Sequence, residues 1–244
     1  MQNTPMINSP EMPACCSDLS QHWPFPQPLT DVVLTSCHFD PAQLLAEDFA
    51  RCDIAPVRGV AKRQTEYLAG RLCARQSLLS LTGTASVPAV GTDRAPQWPS
   101  DVCGSITHGQ GWAGAITASR SDFRGLGIDA EKLLPAQRAE RLSAEILTPN
   151  ELKQMIGLSD EQRAWRISLT FSIKESLFKA LYPQVLTRFY FHDAELISAD
   201  ASESGAARMR LLIDLSEQWP AGSELTGQFS LIAEHVLSLI SIPA

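Results

Sequence analysis

The sequence predicts an α+β fold of two similar halves in a pseudo-twofold arrangement, each packing a long helix on a small, mainly antiparallel sheet. Two observations carry this expectation. Residues 60–81 and about 160–182 each hold apolar residues at helical spacing, and each is followed by short runs of alternating or β-branched residues bounded by turn formers. The order of strand, long helix and further strands therefore occurs twice, without a repeat at the level of residues. At 244 residues and 44% hydrophobic, the chain is long enough to bury such a core. The organisation expected is a proline-rich tail over 1–30, an N-terminal half over 31–122 and a C-terminal half over 123–244.

Composition narrows the function. A formal net charge of -7 argues against a generic nucleic-acid binder, so any anionic ligand must be met by local cations. No apolar run approaches the roughly 20 residues that span a bilayer, and the N-terminus has neither a basic nor an apolar leader region. A cytoplasmic protein with no membrane partner is expected. The six cysteines all lie in the first half, none in a C-x-x-C pair, which fits reduced core fillers better than a zinc site or a disulfide framework.

In chain order, Pro5, Pro10, Pro13, Pro24, Pro26 and Pro28 suit an extended tail draped over the body. Val32 to Phe39 reads as the first strand, with a helix from Pro41 towards Phe49. The helix over 60–81 has Val60, Tyr67, Leu68, Leu72 and Leu79 recurring at helical spacing and carries Lys62, Arg63, Arg71 and Arg75 along one edge. These cations fit either a solvated face or a phosphate clamp. Asp93 to Pro99 is an extended loop holding Arg94 and Trp98, and Gly104 to His108 with Trp112 to Ala118 forms a hairpin around a glycine-rich turn. Pro135 to Ile146 is helical. Thr148-Pro149-Asn150-Glu151 combines a capping box with proline at the first helical position and so starts another helix. The second long helix begins near Ser159 and is expected to stop at Pro183, with Leu169, Ile173, Leu177 and Leu181 inward and Phe171, Glu175 and Lys179 on another face. Three or four further strands are expected over 188–197, 207–214, 224–233 and 236–242.

The stretch around which the chain is organised is Gly125-Leu-Gly-Ile-Asp-Ala-Glu131. Leu126 and Ile128 read as a buried strand. Alternation then points Asp129 and Glu131 the same way, with Cα atoms roughly 6.5–7 Å apart. Carboxylates without Cys or His neighbours suit a hard cation, Mg²⁺ before Zn²⁺. Alone, the pair fits an acidic strand end facing water better than a metal site, and Glu175 with Lys179 fits a surface ion pair as well as a third metal carboxylate or general base.

Together, Lys62-Arg63 with Ala69-Gly70-Arg71, Arg94-x-Pro-x-Trp-Pro, Gly104-Ser-Ile-Thr-His108, Gly127-Ile-Asp-Ala-Glu131 and Phe171-Ser-Ile-Lys-Glu-Ser-Leu-Phe-Lys179 resemble the 4'-phosphopantetheinyl transferases, in their long pseudo-dimeric group. The five segments cover residues 60 to 180. The resemblance implies transfer of phosphopantetheine from coenzyme A to a serine of an acyl or peptidyl carrier protein, with release of adenosine 3',5'-bisphosphate. It implies a Mg²⁺ site at Asp129, Glu131 and Glu175, and catalytic roles for Glu175 as proton acceptor and Lys179 at the α-phosphate. Coenzyme A is expected to meet Arg63, Arg71, Arg94, Thr107, His108, Lys174 and Lys179, so the N-terminal half binds it while the C-terminal half supplies metal and catalytic residues. A monomer suffices, because both halves lie in one chain. Phe171 stands where many members have tryptophan, and Thr107 where serine is common. An acidic carrier is expected near the loop after Glu131 and the helical region 136–157, on a small apolar surface with local cations. A metal-dependent phosphoester hydrolase or a non-catalytic coenzyme A-binding module would use many of the same residues.

Overall fold

The computed structural model describes residues 12–244. The first half opens with β1 (Cys16–Gln21), β2 (Val32–Phe39), the single turn α1 (Asp48–Arg51) and the long helix α2 (Ala61–Thr82). The small hairpin of β3 (Ala89–Val90) and β4 (Pro96–Gln97) follows, then β5 (Val102–Gly109) and β6 (Trp112–Ser119). The second half comprises β7 (Phe123–Lys132), α3 (Ala136–Ile146), α4 (Pro149–Gln154), α5 (Asp160–Val185), β8 (Ala194–Ala199), β9 (Ser204–Leu211), β10 (Glu224–Ile232) and β11 (His235–Pro243). Two antiparallel sheets result, ordered β1-β2-β6-β5 and β7-β11-β10-β9-β8. The fold is thus α+β, with one sheet and one long helix to each half.

Burial explains the layering. Leu68, Leu72 and Cys73 of α2 close on Cys37, Ala113 and Ala115 of the first sheet. The predicted stripe Leu169, Ile173, Leu177 and Leu181 of α5 is buried against Phe229, Val236 and Ile240 of the second. A third cluster, containing Leu34, Ile116, Leu126, Ile128, Leu237 and Leu239, joins the two sheets. All six cysteines are buried. Among the described residues, no helix is long and apolar enough to cross a membrane.

The halves meet at a particular line. β7 ends its sheet, so one of its edges has no neighbouring strand. Cys103, Ser105 and Thr107, spaced by two on β5 and therefore on one face, run along that edge. Ser105 Oγ accepts from Ile128 N–H at 3.1 Å and Thr107 Oγ1 from Ala130 N–H at 3.0 Å, while Cys103 Sγ donates to Phe123 O at 3.2 Å. Side chains here replace a backbone ladder.

Some segments differ from expectation. Residues 12–30 are part of the body: β1 pairs with β2, and Cys15, Cys16 and Phe25 are buried. Pro5 and Pro10 lie outside the described residues. The helix expected from Pro41 breaks into a 3-10 turn at Pro41–Gln43 and α1, because the buried Asp48 carboxylate draws in the N–H groups of Ala14 and Leu45, each at 3.0 Å. The Asp93 to Pro99 loop includes the end of a short hairpin, with Arg94 near its tip at φ 73°. Helix α5 runs through Pro183 to Val185, since a proline in the last turn removes only one amide. Gln184 donates to Ala180 O, and Leu186, in the left-handed region, closes the helix onto Tyr182 O at 2.8 Å. The strand expected from Arg188 begins at Ala194, after a 3-10 turn at Phe191–Asp193.

Helix α5 lies so close to β7 that a Cβ at Gly127 would stand 1.9 Å from the carbonyl oxygen of Ser176. Gly127→Ala must separate helix from strand, and we expect a loss on the order of 3 kcal/mol in urea unfolding. A loss below about 1 kcal/mol would show that the close approach is not required.

Candidate active site

Strand β7 sets Asp129 and Glu131 on the side that faces α5, and Glu175 and Lys179 sit one turn apart on that helix. Lys179 Nζ donates to Asp129 Oδ1 at 2.6 Å and to Ile128 O at 3.2 Å. Thr107 donates to the same Asp129 oxygen at 3.3 Å. The other oxygen, Oδ2, is buried without a hydrogen-bond partner. One ammonium thus serves three carboxylates. Burial pushes Glu131 up to about 7, reinforced by the charges of Asp129 and Glu175 and opposed by Lys179. Burial, then Asp129, also raises Glu175 against the pull of Lys179.

Among the described residues, no three His, Cys, Asp or Glu side chains form a ready metal ligand set. The donor chemistry nevertheless fits a hard divalent cation: oxygen ligands only, excess negative charge and one orphaned buried carboxylate oxygen.

A cleft of ≈ 620 Å³ opens beside this cluster. Arg94, Pro96, Trp98, Gly104 and Ile106 line it from the first half, and Phe178, Lys179, Tyr182 and Arg188 from the second. Gly104 is needed here, because a Cβ would meet the Trp98 indole at 2.9 Å. The rings of Phe178 and Tyr182 stack at 5.1 Å. A smaller cavity of ≈ 190 Å³ adjoins Glu175 and shares Phe178 and Arg188 with the cleft. His108 Nδ1 lies 3.9 Å from Glu66, and burial lowers its pKa, with Lys179 and Arg63 acting in the same direction and Glu66 against it. Arg63 itself is exposed.

Three of the expected coenzyme A contacts are directed elsewhere. Lys174 is buried and donates to Ile146 O, Glu151 Oε2 and Phe191 O at 2.7–2.8 Å, so its three protons are committed within the protein. It ties α3, α4 and the segment before β8 to α5. The Thr107 hydroxyl is 2% exposed and engaged on β7. Arg71 is buried with its guanidinium 5.0 Å from the Tyr67 ring centre, and it is not among the residues that line the cleft. Arg188 and Tyr182 are cleft residues that sequence reasoning missed. Neither is an acid or a nucleophile, and Arg188 lies beyond the matched motifs.

A half-buried acid cluster beside a cation-lined cleft, assembled from two helix-on-sheet halves, has the chemistry suited to an enzyme that handles a phosphorylated substrate. The family described as 4'-phosphopantetheinyl transferase N-terminal domain matches residues 55–118, and the 4'-phosphopantetheinyl transferase superfamily matches residues 125–239. The 4'-phosphopantetheinyl transferase Svp of Streptomyces mobaraensis is 36% identical over 187 residues, covering 76% of this chain and 73% of that protein. Enterobactin synthase component D of Escherichia coli (strain K12) is 36% identical over 179 residues, 70% of this chain and 80% of that protein. The 4'-phosphopantetheinyl transferase PptT of Mycobacterium tuberculosis is 33% identical over 189 residues, 75% and 81% respectively. The chain belongs to the 4'-phosphopantetheinyl transferase superfamily.

The Glu131 shift carries a pH dependence. Its pKa rises from 4.5 to about 7 on folding, so between these values the folded state holds the extra proton and stability falls as pH rises. In chelator, Glu131→Gln should therefore gain on the wild type in urea midpoint from pH 5 to pH 8. Parallel midpoints across that range would remove the basis for the shift.

Proposed function

We propose that this chain transfers the 4'-phosphopantetheine group of coenzyme A to a serine hydroxyl of an apo acyl or peptidyl carrier protein, acting as a monomer in the cytoplasm. The observation that carries the reading is the meeting of Asp129 and Glu131 on β7 with Glu175 and Lys179 on α5, beside a cleft lined by cations. The serine oxygen forms a bond to the phosphorus next to the pantetheine, the bond from that phosphorus to the bridging oxygen breaks, and adenosine 3',5'-bisphosphate leaves. Glu175 takes the serine proton, directly or through one water. Its raised pKa brings it nearer to neutral pH, as suits a general base.

Lys179, held at the cleft wall by Asp129 and Ile128 O, presents an ammonium to the α-phosphate. Arg94, His108 and Arg63 meet the 3'-phosphate and adenine end, a role supported by their cationic or hydrogen-bonding character at the first half's side of the site. Asp129, Glu131 and Glu175 would hold Mg²⁺. Bound there, the ion would neutralise charge on the diphosphate. Every group named belongs to one chain, which supports the monomer.

The carrier is met by the α3 to α4 face. Ile156 is 82% exposed and Leu152 36%, with Lys153 beside them, a small apolar surface with a cation suited to an acidic partner. Ile156→Glu is expected to raise the KM for the carrier severalfold and leave coenzyme A affinity unchanged. Unchanged carrier KM would move the docking surface elsewhere.

Intact-protein mass spectrometry of an apo carrier, incubated with this protein, coenzyme A and Mg²⁺, tests the reaction. One added phosphopantetheine is expected, abolished by chelator and slowed at least about 100-fold by Glu175→Ala. Cleavage of coenzyme A without a carrier would instead indicate a hydrolase, and binding without either reaction a binding module.

A further inference from the structure

The cleft concentrates positive charge in an acidic protein, and not all of it is accounted for. Arg94, Lys179 and Arg188 line it, with Asp93 as the single acid. Asp93 Oδ1 accepts from Ala95 N–H at 3.0 Å, within its own turn. Lys179 is paired with Asp129. Arg188 is exposed and has no ion-pair, hydrogen-bond or ring partner among the described residues. Its neighbours have a different character: Phe189 is buried, and Tyr190 and Phe191 line the smaller cavity. An unpartnered guanidinium flanked by aromatic residues in a cleft wall is suited to an oxyanion that arrives with the substrate, because its fixed fork binds phosphate oxygens in pairs.

The position of Arg188 selects which phosphate. It lines both the large cleft and the smaller cavity that reaches Glu175, a property shared among the described residues only with Phe178. The reacting diphosphate must lie where these two spaces meet, since Glu175 takes the serine proton at one of its phosphorus atoms. Arg94 sits on the β3–β4 turn, across the cleft in the first half. We infer that Arg188 is a binding residue for the diphosphate of coenzyme A, gripping it opposite Lys179 and separating the nucleotide cleft from the smaller, aromatic-walled cavity. The inference rests on the transferase reading and adds a residue to it. Segment 186–193 is held for this role from behind, by the Lys174 hydrogen bond to Phe191 O at 2.8 Å and by Tyr190 N–H donating to Asp193 Oδ2 at 2.7 Å.

Arg188 is on the surface, so its variants should fold. Calorimetric titration of coenzyme A into the protein, without a carrier, is expected to show binding weakened about 10- to 100-fold in Arg188→Gln and partly restored in Arg188→Lys, which keeps the charge without the fork. The KM for the carrier should not change. The same titration with dephospho-coenzyme A, which keeps the diphosphate but lacks the 3'-phosphate, should show the same fold-loss. If that loss disappears with dephospho-coenzyme A, Arg188 serves the 3'-phosphate and the inference is wrong. It is equally wrong if coenzyme A binding is unchanged, or if only the KM for the carrier rises. Absence of transfer by the wild type would defeat the function itself, an outcome separate from any of these.

Discussion

The site depends on how the open edge of β7 is closed. An unpaired strand edge inside a protein leaves amides and carbonyls without partners, and each such group costs about 1–3 kcal/mol if nothing meets it. Here the partners are side chains of β5, Ser105 and Thr107 accepting from Ile128 and Ala130. Because hydroxyls rather than a backbone ladder make the join, the two halves remain separate sheets yet are fixed in register to the residue. The register matters chemically. Thr107 reaches Asp129 with its own proton, and Lys179 caps Ile128 O on the same edge. One line of hydrogen bonds therefore holds the halves together and orients the central carboxylate.

The contrast between Lys174 and Lys179 shows what that geometry decides. Both belong to one motif on one helix, yet five residues rotate a helix by about 140° beyond a full turn. Lys174 points into the body, where burial lowers its pKa and Glu151 opposes that, and its three bonds join α3, α4 and the segment carrying Arg188. Lys179 points to the cleft and remains partly exposed. The first is a strut and the second a ligand group. A buried charge removed from its partner would be strongly unfavourable, which explains why the strut is fully hydrogen-bonded.

Much of the architecture could be read from residue patterns. The α5 stripe at every fourth position, the capping box at Thr148, the helix start near Ser159 and the hairpin around Gly109 to Gly111 express local rules and lie within a residue or two of expectation. What could not be read depends on distant contacts. Asp48 breaks a helix by binding Ala14 and Leu45, and β1 gains strand structure only by pairing with β2. Of the candidate site, spacing placed Asp129 with Glu131 on a strand face and Glu175 with Lys179 on a helix face, whereas their meeting in one site was implied by the family resemblance alone. The destinations of Lys174, Thr107 and Arg71 were not legible, since a motif names a residue type without its rotation or its partner. Arg188 carries no local signal at all.

The pseudo-twofold arrangement also explains why the site is lopsided. Each long helix approaches its sheet through a glycine and a serine. Gly70 lies against Ile106 and Ser77 binds Val33 O and Thr117 in the first half, while Gly127 lies against Ser176 and Ser176 binds Ser238 in the second. Both sides thus use a glycine and a serine, Gly70 on the helix in the first half and Gly127 on the strand in the second, but the charges differ. Where α5 offers Lys179 to the cleft and Glu175 to the smaller cavity beside it, α2 turns Arg71 and Arg75 inward, stacking on Tyr67 and bonding to Cys52 O. Two equivalent scaffolds with different side chains give a cleft whose acidic end is defined by one half and whose opposite wall is supplied by the other. On the proposed reading, an elongated, asymmetric anion such as coenzyme A binds in one direction, with its diphosphate at the acid cluster.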